Sequence, residues 1–486
     1  MMRFWPKIAT GLFGLLAFSP VQAGPKVTVL SPHWEGPKRE FEAAFSRTYE
    51  KSTGRKVAVE WLDVGASSNI MAYVRSEFKS RPQGIGIDLV WGGGSIYYST
   101  LAAEDLLAPA GLTGEDFAGI PPELAGNPLY DAQGLWFGAA LGSFGILCNE
   151  RVLERMNLPR PLSWADLAAP AFFSWVALAD PRDSGTAHMM LELMFQSYGW
   201  EKGLDVVTRI GANARTIPRA ASQIPMLVAT GEVACGPCID FYAWAKMAEV
   251  GPGRLEFILP TAETVVTTDP IAMLKGAPDP DLARAFIRFV LSPAGQRLWM
   301  LPAGAEGGPR RYTLGRLSVR PELYDELAGR MVMTYNPFRQ APGLNFNSGL
   351  AEERWQTLND LFGALIVDPH PLLVRAWESV KDREAQSPAW KRLAAPPEDE
   401  AAFRKRTEEW KDPEKRGRTI AEWVGFGRAK YQSVLRMAGK EPGEWQAGLY
   451  RVVRGLIPAF MLGLVVIIPA RRLWARWRTW RSRRER

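Results

Sequence analysis

An α/β fold arranged in two lobes, with a helical extension behind them, is predicted by three observations. Short buried strands alternate with amphipathic helices over the first three hundred or so residues of the 486-residue chain. Loops rich in glycine and serine follow the strand ends, and the apolar period becomes purely helical beyond residue 350. Val27-Thr-Val-Leu30 opens as a short buried strand, followed by the loop Ser31-Pro32-His33-Trp34. Phe41, Phe45 and Tyr49 recur every four residues, one face of a helix. Val57, Val59 and Trp61 alternate as in a strand, and Met71, Val74 and Phe78 mark the next helix. Ile87 to Trp91 is a third strand, ending in Gly92-Gly93-Gly94-Ser95 before another helix. This alternation implies a parallel sheet covered by helices on both faces.

A second α/β section spans 143–262, and its clearest feature is Ala179-Asp180-Pro181-Arg182-Asp183-Ser184-Gly185-Thr186, a strand end leading into a helix. Val265 to Met273 and the helical face Leu282, Ala285, Phe286, Phe289 and Val290 return the chain to the first section. The expected organisation is a first lobe over 24–142, a second over 143–262, a return over 263–349 and a helical extension or stalk over 350–447. Leu358, Leu361, Phe362, Leu365 and Ile366 carry the helical period of that extension.

The formal net charge is +7, which alone suggests nucleic acid or membrane. Its distribution removes the first of these. Arg471 to Arg486 holds eight arginines and one glutamate, and Arg3 and Lys7 sit at the other end, so residues 24–470 carry about −2. A duplex-binding domain needs a basic face to displace counterions, and no nucleic-acid partner is expected. The two ends read as addresses. Met1 to Ala23 has the charged start, apolar middle and small-residue end of a secretory signal. Gly455 to Ala470 is an uncharged apolar run, so one transmembrane helix is expected over 450–470, with Trp474, Trp477 and Trp480 among the arginines of a cytoplasmic tail over 471–486. An amphipathic helix lying on anionic lipid is the alternative. The body is thereby expected in the periplasm, tethered to the inner membrane, and as a monomer.

Ligands of open α/β sheets gather beyond the carboxyl ends of the strands. Ser31, His33, Gly93, Gly94 and Ser95 lie at two such ends, and Ser184, Gly185 and Thr186 at a third. Glycines allow close backbone approach, and a helix start offers free N–H groups to an anion. Two such cradles suggest a cleft between lobes. Cys235-Gly-Pro-Cys238 matches the thioredoxin tetrapeptide, so thiol-disulfide exchange is a rival function. A disulfide between Cys235 and Cys238 is expected instead, leaving Cys148 free. The motifs of serine and metal hydrolases are absent, and no enzyme activity is expected.

Several ordered blocks resemble the extracellular solute-binding proteins of bacterial ABC importers, in the branch of ferric-iron and 2-aminoethylphosphonate binders. They are Gly145-Ile-Leu-Cys-Asn149, Trp164-Ala-Asp-Leu167, Ala179-Asp-Pro-Arg182 with Ser184-Gly-Thr186, Gly231-Glu-Val233, Ala272-Met-Leu-Lys-Gly276 and Leu291-Ser-Pro-Ala-Gly-Gln296. The resemblance implies the type II periplasmic-binding-protein fold, in which two lobes joined by crossing strands close on a ligand for delivery to a permease. Ferric members carry two adjacent metal-ligating tyrosines after the Gly-Glu-Val block. Here the first position is Phe241 and the second Tyr242. If the cargo is ferric iron (Fe3+), the expected ligands are His33, Tyr242 and Asp240. If it is a phosphonate, phosphate or other organic anion, the cradles hold it, with Asp240 and Asp269 available to an ammonium group. No resident cofactor is required. A membrane-tethered sensor built on the same fold is the alternative function.

Overall fold

The computed structural model describes residues 24–440, apart from 66, 261, 341–342 and 386. The signal at 1–23, the span at 450–470 and the tail at 471–486 lie outside the described residues. Among the described residues no helix is long and apolar enough to cross a membrane.

The main sheet has two halves. In the first, Ala58–Leu62, Lys26–Leu30 and Leu89–Trp91 run parallel, and Val266–Leu274 lies antiparallel to Leu89–Trp91. In the second, Cys235–Ile239 is parallel to Val176–Ala177, which is parallel to Ala214–Thr216. Two long strands join the halves. Trp136–Asn149, buried along its whole length, pairs antiparallel with Val266–Leu274 and also with Cys235–Ile239 and Leu255–Ile258. The sheet is therefore mixed and not wholly parallel as the pattern suggested, because these two strands carry the chain out to the second half and back.

Period-two alternation distributes the strand residues between cores on opposite faces. Val27, Val29, Leu89 and Trp91 face one core, with Phe41, Phe45 and Phe286 from the helices Glu35–Thr53 and Pro280–Leu291. Leu30 and Val90 face the other, with Met71, Val74 and Leu101. The same parity corrects the cysteine pairing. Cys148 and Cys235 are register partners on one face, with Cα atoms 4.2 Å apart, and form the disulfide. Cys238, an odd number of residues further along an extended strand, faces the opposite core and is free and buried. A Cys235–Cys238 bridge would have had to join side chains pointing to opposite faces.

The section after residue 347 is helical, as its period indicates, but it is not a free-standing stalk. Its helices run Ser348–Glu353, Trp355–Phe362, His370–Glu378, Pro388–Ala394, Glu400–Glu408 and Pro413–Met437, with a π-turn over Gly363–Val367. Leu358, Leu361, Leu365, Trp377, Trp423 and Tyr431 share one core with Phe144, Ile146, Leu204 and Ile210 of the second half. Buried polar ends are paired there too. Trp377 Nε1 donates to Asn213 Oδ1 at 2.7 Å, and the Tyr431 hydroxyl to Leu365 O at 2.7 Å. This section is a layer of the second lobe, since the apolar faces of its helices have no other surface to bury against.

Candidate functional site

Two of the three loops predicted to hold ligand, those after Leu30 and Trp91, converge where the crossing strands meet the first lobe. The strand Lys26–Leu30 ends at Ser31, and the chain turns so that His33 N donates to Ser31 Oγ at 3.2 Å. His33 Nδ1 lies 2.9 Å from Ser31 Oγ and Nε2 lies 2.9 Å from Asp269 Oδ2. The tautomer that satisfies both has Nε2–H donating to Asp269 and Nδ1 accepting the serine hydroxyl. Burial pushes the His33 pKa down, against the pull of Asp269.

Asp269 sits at a register shift in the second crossing strand, between Asp269 and Pro270. Bulges re-aim side chains. Here the carboxylate accepts from Gly93 N at 2.8 Å, from His33 and from Arg316 Nη1. Burial opposes its ionisation, but Arg316, followed by His33, holds its pKa well below the usual carboxylate range. Gly92, Gly93 and Gly94 all have positive φ, and a Cβ on Gly92 would come within 2.9 Å of the His33 ring. Glycine is thus required there, where a tight turn and a close approach coincide. The run opens the helix Ser95–Ala103.

Asp240 begins the helix Asp240–Val250 and is fully buried. It accepts from Ser143 N at 2.7 Å and Ser143 Oγ at 2.9 Å, which ties this helix start to the first crossing strand. Burial pushes its pKa up to about 7 despite these bonds. Phe241 and Tyr242 follow, with ring centroids 4.4 Å apart. The Tyr242 hydroxyl makes no hydrogen bond to the described residues, and burial raises its pKa.

Arg316 was not singled out in the sequence, yet it organises the cluster. Its guanidinium pairs with Asp269, lies 4.2 Å from the Phe241 ring centroid and 5.3 Å from that of Trp299, and is almost wholly buried. Nε has no hydrogen-bond partner among the described residues. Phe241, which the resemblance marked as a lost phenolate, is therefore a platform for a cation.

Ser184 caps the helix Gly185–Tyr198 by accepting from Ala187 N at 3.3 Å, and Gly185 and Thr186 form its exposed to half-buried first turn. They do not join the Asp269 cluster directly. Arg182 of the same block turns away to Asp180 at 2.8 Å and Asp368 at 3.1 Å. His33, Asp240 and Asp269 all have protein partners. Among the described residues, no group of three His, Cys, Asp or Glu side chains is placed to hold a metal ion. The Cys235-Gly-Pro-Cys238 tetrapeptide is not a dithiol, since Cys235 is bonded to Cys148 and burial raises the Cys238 thiol pKa far above its usual value.

Two α/β lobes joined by crossing strands, with strand-end loops and helix starts gathered at the junction, define a binding-protein fold. The chain belongs to the bacterial extracellular solute-binding protein family, which it matches over residues 44–309. The phosphoglycerate transport regulatory protein PgtC of Salmonella typhimurium is 29% identical over 230 residues, 45% of this chain and 56% of that protein. The chain thus spans about half the length of the curated relatives it matches. Among solved structures, iron-bound HitA from Pseudomonas aeruginosa aligns with a TM-score of 0.53 and 19% identity, over 69% of this chain and 98% of that one. AfuA from Actinobacillus pleuropneumoniae, bound to fructose 6-phosphate, aligns with a TM-score of 0.51 and 20% identity, over 71% and 99%. At these identities the likeness is one of fold.

Proposed function

We propose that the protein is an exported solute-binding subunit of an ABC importer. It takes up a small organic anion of the phosphate or carboxylate kind between its lobes and presents it to a permease. The observation that carries this reading is Arg316, a nearly buried guanidinium held over Phe241 with its Nε–H unpaired. Guanidinium groups suit carboxylate and phosphate oxygens because several N–H donors lie in one plane. The unpaired Tyr242 hydroxyl and the helix start after Gly94 supply further donors. The ferric reading is less well supported. Phe241 cannot ligate, and His33 and Asp240 already have partners. Such a protein does no covalent chemistry; its work is a difference in affinity between open and closed lobes.

A panel of thermal shifts tests this directly. 3-Phosphoglycerate, fructose 6-phosphate or inorganic phosphate should raise the unfolding midpoint by mass action, and native mass spectrometry should weigh the bound anion. A chain that ignores every anion but takes up ferric salt with the colour of tyrosinate would reverse the assignment. Tethering through the apolar run before Arg471 belongs to the same proposal, and carbonate extraction that released the protein from membranes would count against it.

A second reading, a ligand sensor that passes the closed state to a membrane partner, is favoured by the likeness to a transport regulatory protein. Recovery of a permease by cross-linking in membranes supports import, and recovery of a signalling protein supports sensing.

A further inference from the structure

Trp355 lies outside the family-matched residues, yet it stands where the two lobes meet. Its ring stacks on His188 of the second lobe with centroids 3.6 Å apart, and Tyr97 of the first lobe approaches it to 5.9 Å. A Cβ built on Gly185 would lie 3.7 Å from the same indole, ordinary contact distance, so Trp355 abuts the helix start at Ser184 to Thr186. Three residues earlier, Glu352 Oε1 accepts a hydrogen bond from Thr100 Oγ1 at 2.7 Å. Tyr97 and Thr100 both belong to the helix opened by the glycine run, whose Gly93 N–H is bonded to Asp269. A continuous path therefore runs from Asp269 through Gly93, Tyr97 and Trp355 to Gly185.

The two ends of this short section are held differently. On the second lobe, Arg354 donates from Nη2 to Glu192 Oε1 at 2.7 Å in a pair that is almost wholly buried. His188 Nδ1 also lies 2.7 Å from Asn359 Oδ1. On the first lobe, the contacts among the described residues include a half-buried ring and an exposed carboxylate. A buried pair is expensive to separate, whereas an exposed one opens easily. An element fixed on one lobe and lightly held on the other behaves as a strap. Burial by its neighbours raises the Tyr97 phenol pKa to about 12.

We propose that residues Ser348–Phe362 form a third wall of the cleft, in which Trp355 bounds the space beside Gly185 and Glu352 fastens that wall to the first lobe. This rests on the reading of the cleft as a ligand site. The chemistry it implies is retention of compact anions: the indole fills room that a larger solute would need, and the strap slows their escape.

Hydrogen exchange of the full chain, read by mass spectrometry over Ser95–Ala103, tests the wall with and without 3-phosphoglycerate. Glu352→Gln and Trp355→Ala are each expected to speed exchange there several-fold without the probe, and to speed dissociation of the probe about tenfold in stopped flow. Glu352 is exposed, so its variant keeps the test sound if removal of the indole disturbs folding beside His188. Exchange over Ser95–Ala103 that is the same in wild type and Glu352→Gln would overturn the strap. If 3-phosphoglycerate fails to bind the wild type, the proposed ligand class falls separately, and exchange in the probe-free chain still decides whether the wall contacts the first lobe.

Discussion

Two buried arginine–carboxylate pairs, one in the second lobe and one where the lobes join, are built for opposite ends. In the second lobe, Arg354 gives three hydrogen bonds to Glu192, and its charge faces Phe195 from 5.7 Å. Where the lobes join, Asp269 divides its oxygens among Arg316, His33 and Gly93 N–H, and Arg316 Nε has no acceptor among the described residues. An unsatisfied buried donor costs about 1–3 kcal/mol. The closed pair fastens the C-terminal layer to its lobe; the open pair keeps a donor in reserve at the lobe junction.

The comparison can be broken most forcefully at Glu192. Glu192→Ala strands Arg354 in the core and is expected to cost about 3–5 kcal/mol in denaturant unfolding, as breaking a buried ion pair does. A loss below about 1 kcal/mol would mean the pair is not buried in solution. Arg316→Lys sharpens the contrast from the other side. It keeps the charge beside Asp269 but removes the planar fork, so the ligand-free midpoint should move little while anion affinity falls roughly 10- to 100-fold by calorimetry. Equal losses of stability and affinity would make Arg316 a structural residue like Arg354.

Acidity separates the two sites further. The folded-state pKa of Asp240, about 7, lies above the unfolded value near 3.9, so the native state binds the extra proton and this group adds stability as pH falls from 7 toward 4. His188, held by burial at about 4 against about 6.5 when unfolded, acts oppositely, and its contribution is lost as pH falls through that range. The two offset each other in the wild type. Asp240→Asn removes one of them, and its stability relative to wild type should worsen by on the order of 2 kcal/mol between pH 7 and pH 5. A test at alkaline pH reads Lys430, a buried cation that forms no ion pair among the described residues and donates to Ala395 O at 3.1 Å. Burial holds its pKa at about 7, below the unfolded value near 10.4, so stability rises as pH climbs between the two. Lys430→Met should abolish that rise, so that denaturant stability stays level between about pH 7 and pH 10 where wild type climbs.

Elements whose signal is local were readable in advance. Val27 and Val29, the Phe41 to Tyr49 face and the glycine run each declare themselves within a few residues, and all stand where the pattern placed them. His33 and Asp269 were also named, though nothing in the chain indicated that residues 236 positions apart would share a hydrogen bond. Arg316 escaped notice because a lone arginine in an irregular stretch looks like any solvated cation until the fold buries it. The cysteine pairing was within reach, since an odd spacing along a strand turns two side chains to opposite faces. The destination of the helices beyond residue 347 was not, because an amphipathic face shows that a partner exists and not which one.

The register shift at Pro270 has a kinetic consequence. Asp269, and through it Arg316, is mounted on a strand that belongs to both lobes, so these charges need not travel when the lobes rotate. On the proposed reading, an arriving anion would meet the same local field whether the lobes stood open or shut. Capture should therefore proceed at a rate insensitive to how far open the lobes stand, and variants of the moving parts should reveal themselves in how long the guest stays.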